Sequence, residues 1–425
     1  MKKKILSGIL CLMFLVSGCS DKTKKENSDL DNKLKGNITI WSTEKHYAFL
    51  KSSSEKFQTK YPEVKINLQQ KTTEEVNNNF LEGYLKAEEK PDVITIKSNF
   101  ISLYSEDKEL FEPLNNIISP YEKNFYKGRL DEVKKDSQYV AFPMDSNPAA
   151  LLYRRDILDA AEIYPEDINT WNRFIEGGEK LKASFKGQKK MLGISSKNYN
   201  EVVALLANEL SMETYFKESN MTSTISKYEK ILNVLKKLSE SSNIAIFQSE
   251  EELLKSFTEG NIGFIVGYPE YIPKLVSEKP NYGIKQLPSF EPGGNNNAQL
   301  PAYNLALLKN SEDKEIAQKF VEFTLTNSDA LVESMLKYGN FPAYIPTYSH
   351  SDFDNKIDCF SKQKVYSIFE ISYKNSPNIK YNSYTKDIEG IFYNSVDSLL
   401  KGERTEIVLN KLMKDINELA IKRQP

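Results

Sequence analysis

Residues 38–68 read ITIWSTEKHYAFLKSSSEKFQTKYPEVKINL. Ile38 to Trp41 is a short β-rich run, Lys45 to Tyr61 carries a helical pattern, and Val64 to Leu68 is a second strand behind the breaker Pro62. Just downstream, Thr72-x-x-Glu75 has the spacing of a capping box, in which each side chain satisfies the other's free main-chain N–H. Asp92 to Ile96 is the next strand. Short β-rich runs separated by helices predict parallel sheets with helices on their faces, the doubly wound α/β class.

The rest of the chain continues in this style with more helix. Asn198-x-x-Glu201 and Ser249-x-x-Glu252 repeat the capping spacing, and Gly260 suits a stop after the stripe Leu253, Leu254, Phe257. Ile262 to Gly267 reads as a buried strand. Ile316, Phe320 and Phe323 form a helical stripe, as do Ile388, Ile391, Phe392, Val396 and Leu399, and both are expected in the core. Residues 288–297, PSFEPGGNNN, are turn formers and predict a loop near a lobe crossing. A single hydrophobic core stops growing at roughly 250 to 300 residues, so 425 residues predict at least two lobes. The composition is that of a globular protein, 40% hydrophobic and 27% charged, and a formal charge of -2 without a long basic block argues against nucleic acid as a partner.

At the N-terminus Lys2, Lys3 and Lys4 precede an apolar run from Ile5 to Val16, and Val16-Ser17-Gly18-Cys19 follows. Such a run spans roughly 18 Å as a helix, short of the ~30 Å hydrocarbon core, so residues 1–18 are expected to be a cleaved signal peptide. The last four residues resemble the lipobox of bacterial lipoproteins. That resemblance implies a diacylglyceryl thioether on Cys19 and an anchor on the outer face of the cell membrane. Residues 19–37 are almost wholly polar and predict a flexible tether. With Cys11 removed and Cys19 lipidated, Cys359 is left without an intramolecular partner and is expected to be a small, partly buried apolar residue.

Catalytic and cofactor motifs do not occur. There is no GxxxxGK[ST] loop, GxGxxG turn, HExxH, GxSxG or paired CxxC, and the two histidines, His46 and His350, are far apart. The expectation is a protein that is not an enzyme and uses no metal or cofactor.

A distributed resemblance covers most of the chain. Ile38-Thr-Ile-Trp41-Ser42, Lys56-Phe57 with Tyr61-Pro62-x-Val64, Pro91-Asp92-Val93-Ile94 and Ala141-Phe142-Pro143 fall in one series. Leu152-Tyr153-Arg154-Arg155-Asp156, Thr170-Trp171, Ser256-Phe257-x-x-Gly260, Tyr282-Gly283-Ile284, Gly339-Asn340-Phe341-Pro342 and Gly402 continue it. In this order they resemble the extracellular solute-binding proteins of ABC transporters, particularly the carbohydrate-binding, maltose-binding-protein-like family. The resemblance implies the type II periplasmic-binding-protein fold, two doubly wound α/β lobes joined by hinge crossings. The implied division is 38–144 plus 289–344 for lobe 1 and 145–288 plus 345–425 for lobe 2. It also implies a monomeric, lipid-anchored receptor that takes a sugar or oligosaccharide between its lobes and delivers it to separate ABC permease subunits.

Open α/β sheets bind ligands beyond the carboxyl ends of their strands. The candidates there are Trp41, Glu44, His46, Asn99, Phe100, Asp145, Asn147, Tyr268, Glu270, Tyr303 and Asn304. They mix flat rings with Asp, Glu, Asn and His, which suits a sugar: its C–H face stacks on a ring while its hydroxyls need fixed donors and acceptors. Several have ordinary structural readings. Trp41 could plug the core, Asp145 could cap the following segment, Phe100 could pack the lobe, and Trp171 is expected to be structural. A polyamine or other small cation is a rival ligand, with Glu44, Asp145 and Glu270 as its carboxylates. A two-lobe surface protein in sensing or adhesion is a rival role.

Overall fold

The computed structural model describes residues 34–104, 110–196, 199–212, 221–241, 243–278, 280–378, 381 and 385–422. The signal segment, Cys19, the tether through residue 33, Asn198 and Tyr384 lie outside these residues.

The opening stretch folds as its pattern predicts, with longer strands and the helix one residue earlier: β1 (Gly36–Thr43), a helix (Glu44–Lys60) and β2 (Val64–Lys71). β3 (Val93–Lys97) follows, and both β2 and β3 pair parallel to β1. Three short strands come next: β4 (Lys134–Lys135) and β5 (Gln138–Tyr139), which form a hairpin, and β6 (Phe142–Pro143). β7 (Asn147–Pro148) leads out of this lobe into β8 (Ala150–Arg154), and β9 (Lys190–Ser195), β10 (Ile244–Phe247), β11 (Ile262–Gly267) and β12 (Tyr282–Lys285) build a second sheet. β13 (Gln299–Leu300) pairs with β7, and β14 (Tyr303–Leu307) re-enters the first sheet. The sheet orders are β2-β1-β3-β14-β6 and β10-β9-β11-β8-β12.

The sheets are mixed rather than all parallel. β14 runs antiparallel to β3, and β8 antiparallel to β11. The reason is where the chain enters: a strand that starts at the crossing points away from the cleft, while strands followed by crossover helices end there.

Each sheet carries its own core. Ile38, Ile40, Phe57, Ile94, Leu305 and Phe320 are buried in the first, and Leu152, Phe174, Leu192, Phe257 and Ile265 in the second. The loop 288–297 belongs with the second sheet: Ser289 donates its N–H to the Asn169 carbonyl at 2.9 Å, and Ala298 and Leu300 are in the second core. The chain therefore crosses at Pro301–Ala302 rather than at the expected boundary between residues 288 and 289. A third crossing runs beside the first, where Ser146 N–H donates to the Phe341 carbonyl at 2.8 Å.

Two of the predicted capping boxes form. Thr72 and Glu75 exchange main-chain to side-chain bonds of 2.6 and 3.2 Å, and Ser249 Oγ accepts from Glu252 N–H at 3.1 Å while Glu252 accepts from Gln248 N–H at 2.9 Å. Gly339 ends the helix Ser328–Tyr338 at φ 73°, and a Cβ there would lie 2.2 Å from the Glu270 Cα. Glycine is thus required twice, by backbone conformation and by the close approach of the Pro269–Glu270 turn.

Candidate functional site

β1 ends at Thr43, and the helix after it starts by turning His46 inward. His46 is fully buried, with Nδ1 2.9 Å from Thr43 Oγ1 and Nε2 2.8 Å from Asp145 Oδ2. Asp145 sits on the first crossing, and its Oδ1 accepts the Tyr303 N–H of the second crossing at 2.7 Å. Burial, above all, lowers the His46 pKa and keeps the ring neutral. Burial alone would raise the Asp145 carboxyl, but the His46 hydrogen bond, then the Lys45 charge and the Tyr303 amide, hold it below the usual range. An ionised carboxylate only accepts, so Nε2 carries the proton and Nδ1 accepts from the Thr43 hydroxyl. The Tyr303 ring lies tilted over the imidazole at 4.6 Å.

Beneath this group lies Arg129, buried to 1% exposure. Its guanidinium donates to the Asp145 carbonyl at 3.0 Å and the Tyr303 carbonyl at 2.7 Å, and pairs with Glu132 at 3.3 Å. One side chain therefore ties two crossings together. Asn304, also fully buried, accepts from Arg129 and donates to the Ile96 carbonyl at 3.0 Å, so both ends of its amide are committed to the hinge.

The lobes meet in front of the crossings. Lys45, at the head of the first-lobe helix, pairs with Glu270 of the second lobe at 2.9 Å. Burial opposes both charges, yet each raises or lowers the other toward its ionised form, so Lys45 lies above and Glu270 below the ordinary value. Ser102 donates to the Tyr381 carbonyl across the same gap at 3.0 Å, and Lys386 stands 5.9 Å from the Phe100 ring. Lys97, whose ammonium lies 5.3 Å above the Tyr303 ring, acts across the gap on Glu201 and Glu389. Burial, only partly offset by Lys97, pushes both carboxyls up to about 7.

A cavity of about 40 Å³ opens where the crossing residue Pro301 meets Tyr381 and the helices Tyr199–Glu209, Met221–Glu240 and Thr385–Leu400. Tyr228, Tyr381, Phe392, Tyr393, Gln299 and Glu389 line it.

The sequence candidates divide. His46, Asp145, Tyr303 and Asn304 come together at the hinge, with Glu270 facing Lys45. Tyr268 is 3% exposed and its hydroxyl has no hydrogen-bond partner among the described residues, with Glu201 and Glu270 close enough to act on it. Asn99 is half-buried with an unpartnered Oδ1, and Phe100, stacked on Tyr104 at 6.3 Å, faces the second lobe. Asn147 is half-buried in β7. Trp41 instead packs edge-on to Phe80 at 6.3 Å, with Lys71 4.8 Å above its ring, and lines a separate groove with Asn79 and Gly83. Glu44 is exposed and takes only a 3.4 Å bond from Thr73. Glu44, Asp145 and Glu270 thus do not form an open carboxylate cage.

Lys45, Lys97, Arg129, Glu201 and Glu389 were not among the candidates. Lys45 and Lys97 had a signal, since both adjoin strand ends. Arg129 and Glu389 had none, lying on a short helix and in an apolar helical stripe. Among the described residues no three His, Cys, Asp or Glu side chains could hold a metal ion, and no helix is long and apolar enough to cross a membrane.

This two-lobe arrangement has known counterparts. The sugar-binding protein MalE of Xanthomonas citri superposes with a TM-score of 0.77 at 15% identity, over 91% of this chain and 98% of that one. The arabinooligosaccharide-binding protein of Halalkalibacterium halodurans is 19% identical over 89% of this chain and 87% of its own. The lactose-binding protein of Rhizobium radiobacter is 22% identical over 89% and 91%. The model of the bacterial extracellular solute-binding proteins matches residues 41–330, more than half of the chain and all three crossings but the last. By that match, and by two sheets hinged at Asp145 and Tyr303, the chain belongs to the bacterial extracellular solute-binding protein family.

Proposed function

We propose that this protein is a carbohydrate receptor of an ABC transporter, holding a sugar or oligosaccharide between its lobes and handing it to a separate permease. The observation that carries the reading is the convergence, at one hinge, of rings and unpartnered polar atoms from both lobes: Asn99 Oδ1 and Phe100 from the first, the Tyr268 hydroxyl and the aromatic cavity from the second. A sugar matches such a surface, because it offers C–H faces to rings and hydroxyls to orphaned donors and acceptors. The names of the relatives, which bind arabinooligosaccharide and lactose, support the same class. Membership in a solute-binding family makes the chain a receptor rather than an enzyme. The polyamine reading loses ground because Asp145 and Glu270 already have partners within the protein.

The test is a thermal-shift screen of sugars, amino acids and polyamines followed by calorimetry, since a ligand that binds only the native state raises its stability by mass action. Carbohydrate hits support the reading; hits confined to amino acids or polyamines overturn it. The reading includes a monomer held at the outer face of the cell membrane through lipid on Cys19. Cys19→Ala is expected to leave the protein off the membrane or retained as precursor, checked by fractionation and radioactive fatty-acid labelling. Labelling and fractionation like the parent's would remove the anchor from the account.

A further inference from the structure

We propose that the cavity beside Glu389 receives a cationic amino group on the bound solute, so that the preferred ligand is an amino sugar or an oligosaccharide containing one. This rests on the carbohydrate reading and narrows it. The chemistry of the lining points one way. Glu389 offers a carboxylate to which no described residue donates a hydrogen bond or forms an ion pair, and Gln299 Oε1 is buried without a partner. Both are acceptors. Around them stand the rings of Tyr228, Tyr381, Phe392 and Tyr393, with Tyr228 and Phe392 only 4.2 Å apart between centroids.

An ammonium group donates three hydrogen bonds and accepts none, and aromatic faces attract its charge. It brings a donor for each of these two lining groups. A hydroxyl brings no charge, so it is matched by Glu389 only in the protonated form that burial favours, whereas an ammonium draws the carboxyl to its ionised form. The first lobe's Lys97 reaches Glu389 only as a distant charge, being seated over Tyr303. Size agrees: about 40 Å³ holds a few waters or a substituent and its carbon, but not a pyranose ring. The ring stays in the cleft while the amino group enters the cavity.

The experiment is calorimetry on the lipid-free mature chain with matched pairs: the β-1,4-linked disaccharides of glucosamine and of glucose, galactosamine against galactose, and putrescine as an amine without a sugar. The expected result is at least tenfold tighter binding of one amino sugar than of its neutral partner, with the ratio falling toward one in Glu389→Gln. The wild-type comparison needs no variant, so a poorly folded Glu389→Gln does not spoil the test. Equal affinity within each pair, an unchanged ratio in a folded Glu389→Gln, or no binding by any amine overturns the inference; equal binding leaves the carbohydrate reading standing. Binding of putrescine alone, with no sugar bound, overturns the carbohydrate reading while the ammonium cavity survives.

Discussion

A buried hydroxyl without a partner is costly in the empty protein and useful only if something arrives to meet it. The Tyr268 hydroxyl is in that position. Tyr268→Phe removes it with little change of shape, so the empty variant is expected to be as stable as the parent or slightly more so. Ligand affinity is expected to fall by the worth of one hydrogen bond, about 0.5 to 1.5 kcal/mol. Calorimetry alongside thermal melting checks both halves, and a variant that melts early with unchanged affinity would return Tyr268 to the core. Glu209 is a different case, a buried carboxyl that accepts from Trp171 Nε1 at 3.1 Å and lies well above its ordinary pKa because of burial. The folded state therefore holds its proton after the unfolded state has released it. Its contribution is fully present below about pH 4.3 and is lost as pH rises toward the folded value. Glu209→Gln cannot ionise, so the fall in melting temperature between pH 5 and pH 8 is expected to be smaller than in the parent. An identical pH profile would count against this assignment.

At the level of elements, Arg129 on the short helix Lys127–Asp131 is what joins the crossings. Arg129→Met strands the Asp145 carbonyl and leaves the buried Glu132 carboxyl without its counter-charge, though with the Ser98 hydroxyl, while the Tyr303 carbonyl keeps the Met144 and Asp145 N–H groups. Urea denaturation is expected to show a loss on the order of 3 kcal/mol, and a loss under 1 kcal/mol would show that the clamp is dispensable. Nothing in the sequence marked this residue. Its partners Asp145 and Tyr303 are distant in sequence and are met through main-chain carbonyls, which no side-chain pattern records. β1, the first helix and β11 were legible because a local run decides each of them: two short β-rich stretches buried along nearly their whole length, and one helical pattern ending before Pro62. The antiparallel entry of β8 and β14 was not, because it depends on where the chain crosses. Of the candidate site, the placement of Asp145, Tyr303 and Tyr268 near the crossings was legible from their positions at strand ends. Glu389 was hidden inside the stripe Ile388, Ile391, Phe392 and Val396, where one polar position looked like the solvent side of a core helix. Trp41 misled for the opposite reason, since a ring at a strand end can turn into its own lobe, here against Phe80.

For the whole molecule the question is motion. Two cores joined by three thin crossings leave relative movement as the default expectation, and the side-chain bonds between the lobes among the described residues include Lys45 to Glu270, Ser102 to the Tyr381 carbonyl, Tyr126 to Glu370 and Asn378 to Asp131. Lys45 and Glu270 keep 23% and 25% side-chain exposure, so their attraction is screened less than that of a surface pair. Glu270→Gln keeps the shape and removes the charge. A loss on the order of 1 to 2 kcal/mol from the closed form shifts the closed-to-open ratio by roughly five- to thirtyfold. The empty variant is therefore expected to show a larger radius of gyration by small-angle scattering than the empty parent. Saturating ligand should bring both to the same smaller value, because a solute touching both lobes favours closure by its differential affinity for the two forms. Affinity in the variant should fall by about the same factor as the population shift. Parent and variant with one radius, empty and loaded, would mean a rigid cleft, and the Lys45–Glu270 pair would then be a wall of the binding site rather than a latch upon it.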